Sequence, residues 1–145
     1  MDEDVRQILQ SILEDPLDKK KSMAFDALNR IKEDLRNYGV EEQNIDQFVD
    51  DMTGLFVSMD QSVCETEYEI FKFASHKKIS IHEFVDIVRH AKEEKVMNRT
   101  LRRIAKLDFD SKSHVLVYGV IFLSANGSFS QKEIDIIDKI MSTHL

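Results

Sequence analysis

Oxygen-bearing side chains gather twice in this chain, at the same spacing. The stretch Phe122-Leu-Ser-Ala-Asn-Gly-Ser-Phe-Ser-Gln-Lys-Glu133 repeats, with degeneracy, Phe56-Val-Ser-Met-Asp-Gln-Ser-Val-Cys-Glu-Thr-Glu67, which lies 66 residues earlier. Phe56/Phe122, Ser58/Ser124, Ser62/Ser128 and Glu67/Glu133 are identical, and Asp60/Asn126 and Val63/Phe129 keep their type. Two chemistries compete for such a turn. Hard oxygen ligands converging on a loop can hold a divalent cation, and Gly127 and Glu133 fall where an EF-hand loop needs its sixth and twelfth residues. The first ligand position, however, is Phe122 in one copy and Phe56 in the other, which argues against an EF-hand. The other chemistry is helix capping. Ser130-Gln-Lys-Glu133 has the spacing of a capping box and Cys64-Glu-Thr-Glu67 is a weakened version, with Phe129 and Val63 placed as hydrophobic staples.

The same residues carry a family resemblance. Val120 to Met141, an apolar helix followed by an Ala-Asn-Gly turn, Ser-x-x-Glu and a second helix, resembles the second half of a tellurite-resistance protein B-like (TerB-like) domain. Phe56 to Phe71 resembles the first copy of that motif, and the likeness extends from about Ile45 to Met141. The resemblance implies a helical protein of bacterial stress-response type with acidic residues that bind a metal. Carried across position by position, the metal candidates are Asp60 and Glu67, then Asn126 and Glu133. Gln61 replaces the expected Gly in the first turn, and Asn126 replaces the expected Asp in the second. A divalent cation is therefore the one cofactor to expect, at reduced affinity, because an amide oxygen brings no charge.

Other combinations are weaker. His82, Asp86 and His90 share one helical face but lack the second His of a His-Glu-x-x-His zinc site, so a solvated role is expected. Cys64 has no His or second Cys at motif spacing. With no phosphate loop or nucleophile elbow either, the chain does not read as an enzyme. The remaining candidate is a basic stretch. Arg89, Lys92, Lys95, Arg99, Arg102, Arg103 and Lys106 stand against Glu93 and Glu94, a balance of +5 that leaves −12 for the rest of a chain whose formal charge is −7. Such a stretch can bind an anionic partner: an acidic protein, a nucleic acid or a membrane surface. The acidic total disfavours nucleic acid, so another protein, membrane-associated or not, is the expected partner. These cations align on one face only if the helix runs unbroken through Asn98. The plain alternative is a solvent-facing helix with Val88, Ala91, Val96, Leu101 and Ile104 on its inner side.

The elements that must position these residues are helices. The chain has 145 residues, 42% of them hydrophobic, with only four Gly and one Pro, a composition suited to one all-α domain. About seven helices are expected: N-terminal helices over residues 1–40, then two related helix hairpins over about 45–90 and 111–145. Val5, Ile8, Leu9, Ile12 and Leu13 form the first apolar stripe. Asp15-Pro16 opens a second helix that ends at Gly39, with the charged run Asp18 to Lys21 on its solvated face. A third, from Glu42 to Met59, buries Ile45, Phe48, Val49, Met52, Leu55 and Phe56 and turns Asp50 and Asp51 outward. A short helix runs from Glu65 to Ala74, and Ser80-Ile-His-Glu83 caps a further one that continues toward Met97. Ser111 is placed as the cap of an all-round apolar helix, Lys112 to Ala125, expected to be the most buried. The last runs from Gln131 to about Ser142 with Ile134, Ile137 and Ile140 inward. One cysteine and no apolar leader suit the cytoplasm.

Overall fold

The computed structural model describes residues 3–59, 63–125 and 131–142. Among these the regular elements are eight α-helices, with no strand. They are α1 (Glu3–Glu14), α2 (Leu17–Asn37), α3 (Glu42–Ser58), α4 (Glu65–Ser75), α5 (Ile81–Ala91), α6 (Glu94–Ala105), α7 (Phe109–Leu123) and α8 (Gln131–Ser142). The all-α expectation holds. The eighth helix arises because the one expected to continue toward Met97 stops at Ala91.

The break has a reason in helical phase. Phe84, Val88 and Ala91 form the buried stripe of α5, and its next positions would be Glu94 or Lys95, which are exposed. The following buried set, Val96, Thr100 and Ile104, lies out of phase with that stripe. Turning the chain at Lys92 and Glu93 resets the phase, so both stripes reach the core.

Local chemistry explains the other boundaries. Gly39 takes φ +84°, and the bonds Gly39 N–H to Arg36 O (2.9 Å) and Val40 N–H to Leu35 O (3.0 Å) close a Schellman motif after α2. Ser80 and Glu83 form the expected box, with bonds of 3.1 and 3.0 Å between each side chain and the other's N–H. Two caps differ from expectation. Asp15 is not a cap: Pro16 precedes the first helical residue with no side-chain cap, and Asp15 pairs instead with Lys19 at 3.1 Å. Asp108 rather than Ser111 caps α7, accepting from Ser111 N–H at 2.8 Å, and the Ser111 hydroxyl is thereby free to donate to Asp34 of α2 at 2.9 Å.

A single hydrophobic cluster runs from Ile12 to Ile137. Within it α2 packs chiefly on α7 and α4, and α3 on α5, with α6 and α7 alongside. Asp51–Val57 of α3 and Tyr118–Leu123 of α7 are each buried without interruption, so α7 is not the single most buried helix: α3 equals it. These are corresponding segments of the repeat. Their partners diverge, since α4 lies on α2 whereas α8 lies on α7 and α6. Glycine permits a close crossing. A Cβ on Gly54 would stand 2.6 Å from Ala91 Cβ and 2.9 Å from the Ile87 carbonyl oxygen, which is how α3 and α5 meet. No helix among the described residues is long and apolar enough to cross a membrane.

Candidate functional site

The two repeated glutamates occupy the third position of α4 and of α8, and both are buried: Glu67 is 0% exposed and Glu133 4%. Cys64 N–H donates to Glu67 Oε1 at 2.9 Å, and the thiol stands where a capping hydroxyl would be, which completes the box the spacing implied. Burial pushes the Cys64 thiol above its ordinary pKa, which works against reactivity there. Tucking a carboxylate beneath a helix N-terminus suits the backbone N–H groups that converge there. Asp60 and Gln61 of the first turn, and Asn126 to Ser130 of the second, lie outside the described residues. Among those described, no group of three His, Cys, Asp or Glu side chains is placed to hold a metal ion. His82 is exposed and Asp86 pairs with Arg89 at 3.4 Å, while His90 sits 3.9 Å from both Asp51 and Glu93.

The basic stretch is divided by the break before α6. Arg89 belongs to α5 and its pair with Asp86 is solvent-exposed. Arg99 turns inward, donating from one terminal nitrogen to Asp51 Oδ2 at 3.1 Å. The remaining five, Lys92, Lys95, Arg102, Arg103 and Lys106, are exposed, and among the described residues none makes an ion pair. Opposite them on α6, Val96, Thr100 and Ile104 are buried and Leu101 is half-buried, so the helix has one inner and one cationic side.

Three polar clusters were not expected from sequence. Asp51 is 2% exposed, not outward-facing, and takes bonds from Gln47 (2.9 Å) and Arg99 (3.1 Å). Its spacing was a usable signal: it falls three residues after Phe48 and four before Leu55, both on the buried stripe. Lys20, read with its neighbours as solvated, is 6% exposed. It donates to the Leu13 carbonyl at 3.3 Å and the Ser124 carbonyl at 3.1 Å, clasping the C-terminal ends of α1 and α7. A cation is favoured at both ends. Burial lowers its pKa, and Asp15 opposes that shift. Tyr118, fully enclosed, meets Thr53 at 2.7 Å, and Thr53 in turn donates to the Val49 carbonyl at 2.7 Å. Since the threonine proton is committed to Val49, the phenol must be the donor to Thr53. Burial carries the phenol well above the ordinary tyrosine pKa.

No family model matches the chain, and neither a curated protein nor a solved structure does.

Proposed function

We propose that the protein is a non-enzymatic binding module whose α6 side engages an anionic partner, an acidic protein before a nucleic acid or a membrane surface. The observation that carries this reading is the set of five exposed cations on and around α6, left without ion pairs among the described residues in a chain of net charge −7. Cations engaged in the fold hold partners, Arg99 with Asp51, Lys77 with Asp50, and Lys20 with two helix-end carbonyls. A labelled poly-glutamate peptide, a DNA duplex and phosphatidylglycerol vesicles, titrated in parallel at two salt concentrations, test it. Binding of the peptide, weakened by salt and lost in the Arg102→Glu/Arg103→Glu variant, is the expected result. Peptide binding unchanged by that double reversal would sink the proposal. Arg99 is left alone in this test because reversing it would place two negative charges together beside α3.

A second reading, divalent-cation binding at the repeated turns as in a TerB-like protein, is favoured by one feature. Glu67 and Glu133 are held buried at corresponding positions of α4 and α8. A cation that binds only the folded state adds about 2.7 kcal/mol at a hundredfold excess over Kd, enough to raise the thermal midpoint by several degrees. Chelator-treated protein given Ca²⁺, Mg²⁺, Mn²⁺ and Zn²⁺ in turn should show such a rise, absent in Glu67→Gln and Glu133→Gln. A midpoint indifferent to every cation removes this reading and leaves the glutamates to the helix ends.

A further inference from the structure

Where the end of α2 and the first turns of α3 meet the last turn of α6, the surface opens into a groove of about 420 Å³. Its apolar wall is formed by Leu35, Val40, Phe48 and Leu107. Its polar edge carries Tyr38, Asn44, Arg103 and Lys106. We infer that this groove is a binding site for a small amphipathic anion, an alkyl or aryl chain bearing one carboxylate.

The size, the lining and the charge agree. Ligand pockets occupy roughly 300–1,000 Å³ and combine a mostly apolar lining with a few placed polar groups. The chain has 27 Asp and Glu residues, yet none lines the groove, whereas two cations do. Arg103 and Lys106 are exposed and make no ion pair among the described residues. The carboxylates next in sequence to groove residues are engaged elsewhere: Asp34 by Ser111 and His114, Glu41 by Gln43, and Asp108 by the Tyr38 hydroxyl, a bond that ties the end of α2 to the start of α7 beside the groove. A carboxylate seated between a guanidinium and an ammonium gains charge-assisted hydrogen bonds. Its chain then covers apolar surface at Val40 and Leu107 that is otherwise wet, since both are only half-buried. A neutral chain would leave the two cations unanswered, and a compact inorganic anion would leave the apolar wall bare.

The site shares Arg103 and Lys106 with the cationic side of α6 but does not depend on that surface having a macromolecular partner. Decanoate is the probe, decanol its uncharged control, and the methyl resonances of Val40 and Leu107 the readout. Decanoate should shift both in a saturable manner and bind about tenfold more tightly than decanol, the value of one good charge-assisted contact. Arg103→Gln/Lys106→Gln should reduce decanoate to the decanol affinity. Asn44→Trp, made at an exposed position, should fill the groove and abolish both without lowering the thermal midpoint. Absence of a saturable shift, equal affinity for decanol, or shifts that survive Asn44→Trp would each overturn the inference. Capture by phosphatidylglycerol vesicles that Asn44→Trp abolishes would also overturn it, by reassigning the groove to a lipid headgroup. Decanoate binding without poly-glutamate binding removes only the surface reading; the converse removes only the groove.

Discussion

Replacing Arg99 by methionine tests how the interior of this protein handles charge. Methionine keeps the stem of the side chain and the helix preference of α6 while removing the guanidinium. Asp51 would then keep only the Gln47 amide at 2.9 Å and the His90 ring at 3.9 Å, with its carboxylate 2% exposed. Removing one partner of a fully buried pair costs about 3–5 kcal/mol, because the other charge is left uncompensated. Here the Arg99 side chain is 41% exposed, so water already screens part of the attraction. Discounting for that screening brings the expected loss to about 2–3 kcal/mol, or roughly 6–10 °C in midpoint for a domain of this size. The double variant Asp51→Asn/Arg99→Met removes both charges and should recover most of the loss. Urea unfolding of wild type, both single variants and the double, at constant slope, gives the coupling directly. A loss below about 0.5 kcal/mol for Arg99→Met, in the range of surface pairs, would refute the argument. So would a double variant as unstable as the single. Anion binding by α6 should survive Arg99→Met in either case.

Three further outcomes follow from the buried interior. Thr53→Val should cost more than Tyr118→Phe, about 1–3 kcal/mol against about 1, because the first strands a buried phenolic donor and the second leaves only a spare lone pair; equal costs in urea unfolding would contradict the assigned direction of that bond. Gly54→Ala should destabilise by about 1–3 kcal/mol, since the added carbon meets the Ile87 backbone and Ala91 Cβ, neither of which can rotate away, and a neutral result would show that α3 and α5 separate freely. Burial raises the Asp50 pKa, with the Lys77 bond at 2.7 Å opposing it. A raised folded value means that the native state holds this proton more firmly than the unfolded chain does. The stability of wild type relative to Asp50→Asn should therefore fall as pH rises above about 3.9, the ordinary aspartate value; a flat or rising difference would count against it.

Several features are legible in the sequence because they depend on neighbours in the chain. The Ser80–Glu83 box is closed by backbone groups three residues apart, and Gly39 ends α2 because its positive φ suits a residue without a side chain. The Cys64–Glu67 box is of the same kind. The misreadings share a different cause. The stripe of Ile45, Phe48, Val49, Met52, Leu55 and Phe56 places Asp50 and Asp51 on the opposite side, yet Asp51 is buried within the stripe's edge and made tolerable by an arginine 48 residues away. The unbroken helix toward Met97 failed because nothing in composition marks a stop at Lys92; only the phase mismatch between Val88 and Val96 does.

Local spacing was enough to read the helical class, most helix boundaries and the capping box at the start of α4. Those properties rest on contacts within a few residues. Only packing sets which charges are engaged within the fold and which stay exposed. Lys20 reaches the carbonyl of Ser124 across 104 positions and Arg99 reaches Asp51, whereas Arg103 and Lys106 face an apolar groove assembled from three helices. The value of a charge depends on the dielectric and the neighbours that packing places around it, and neither is set by local spacing.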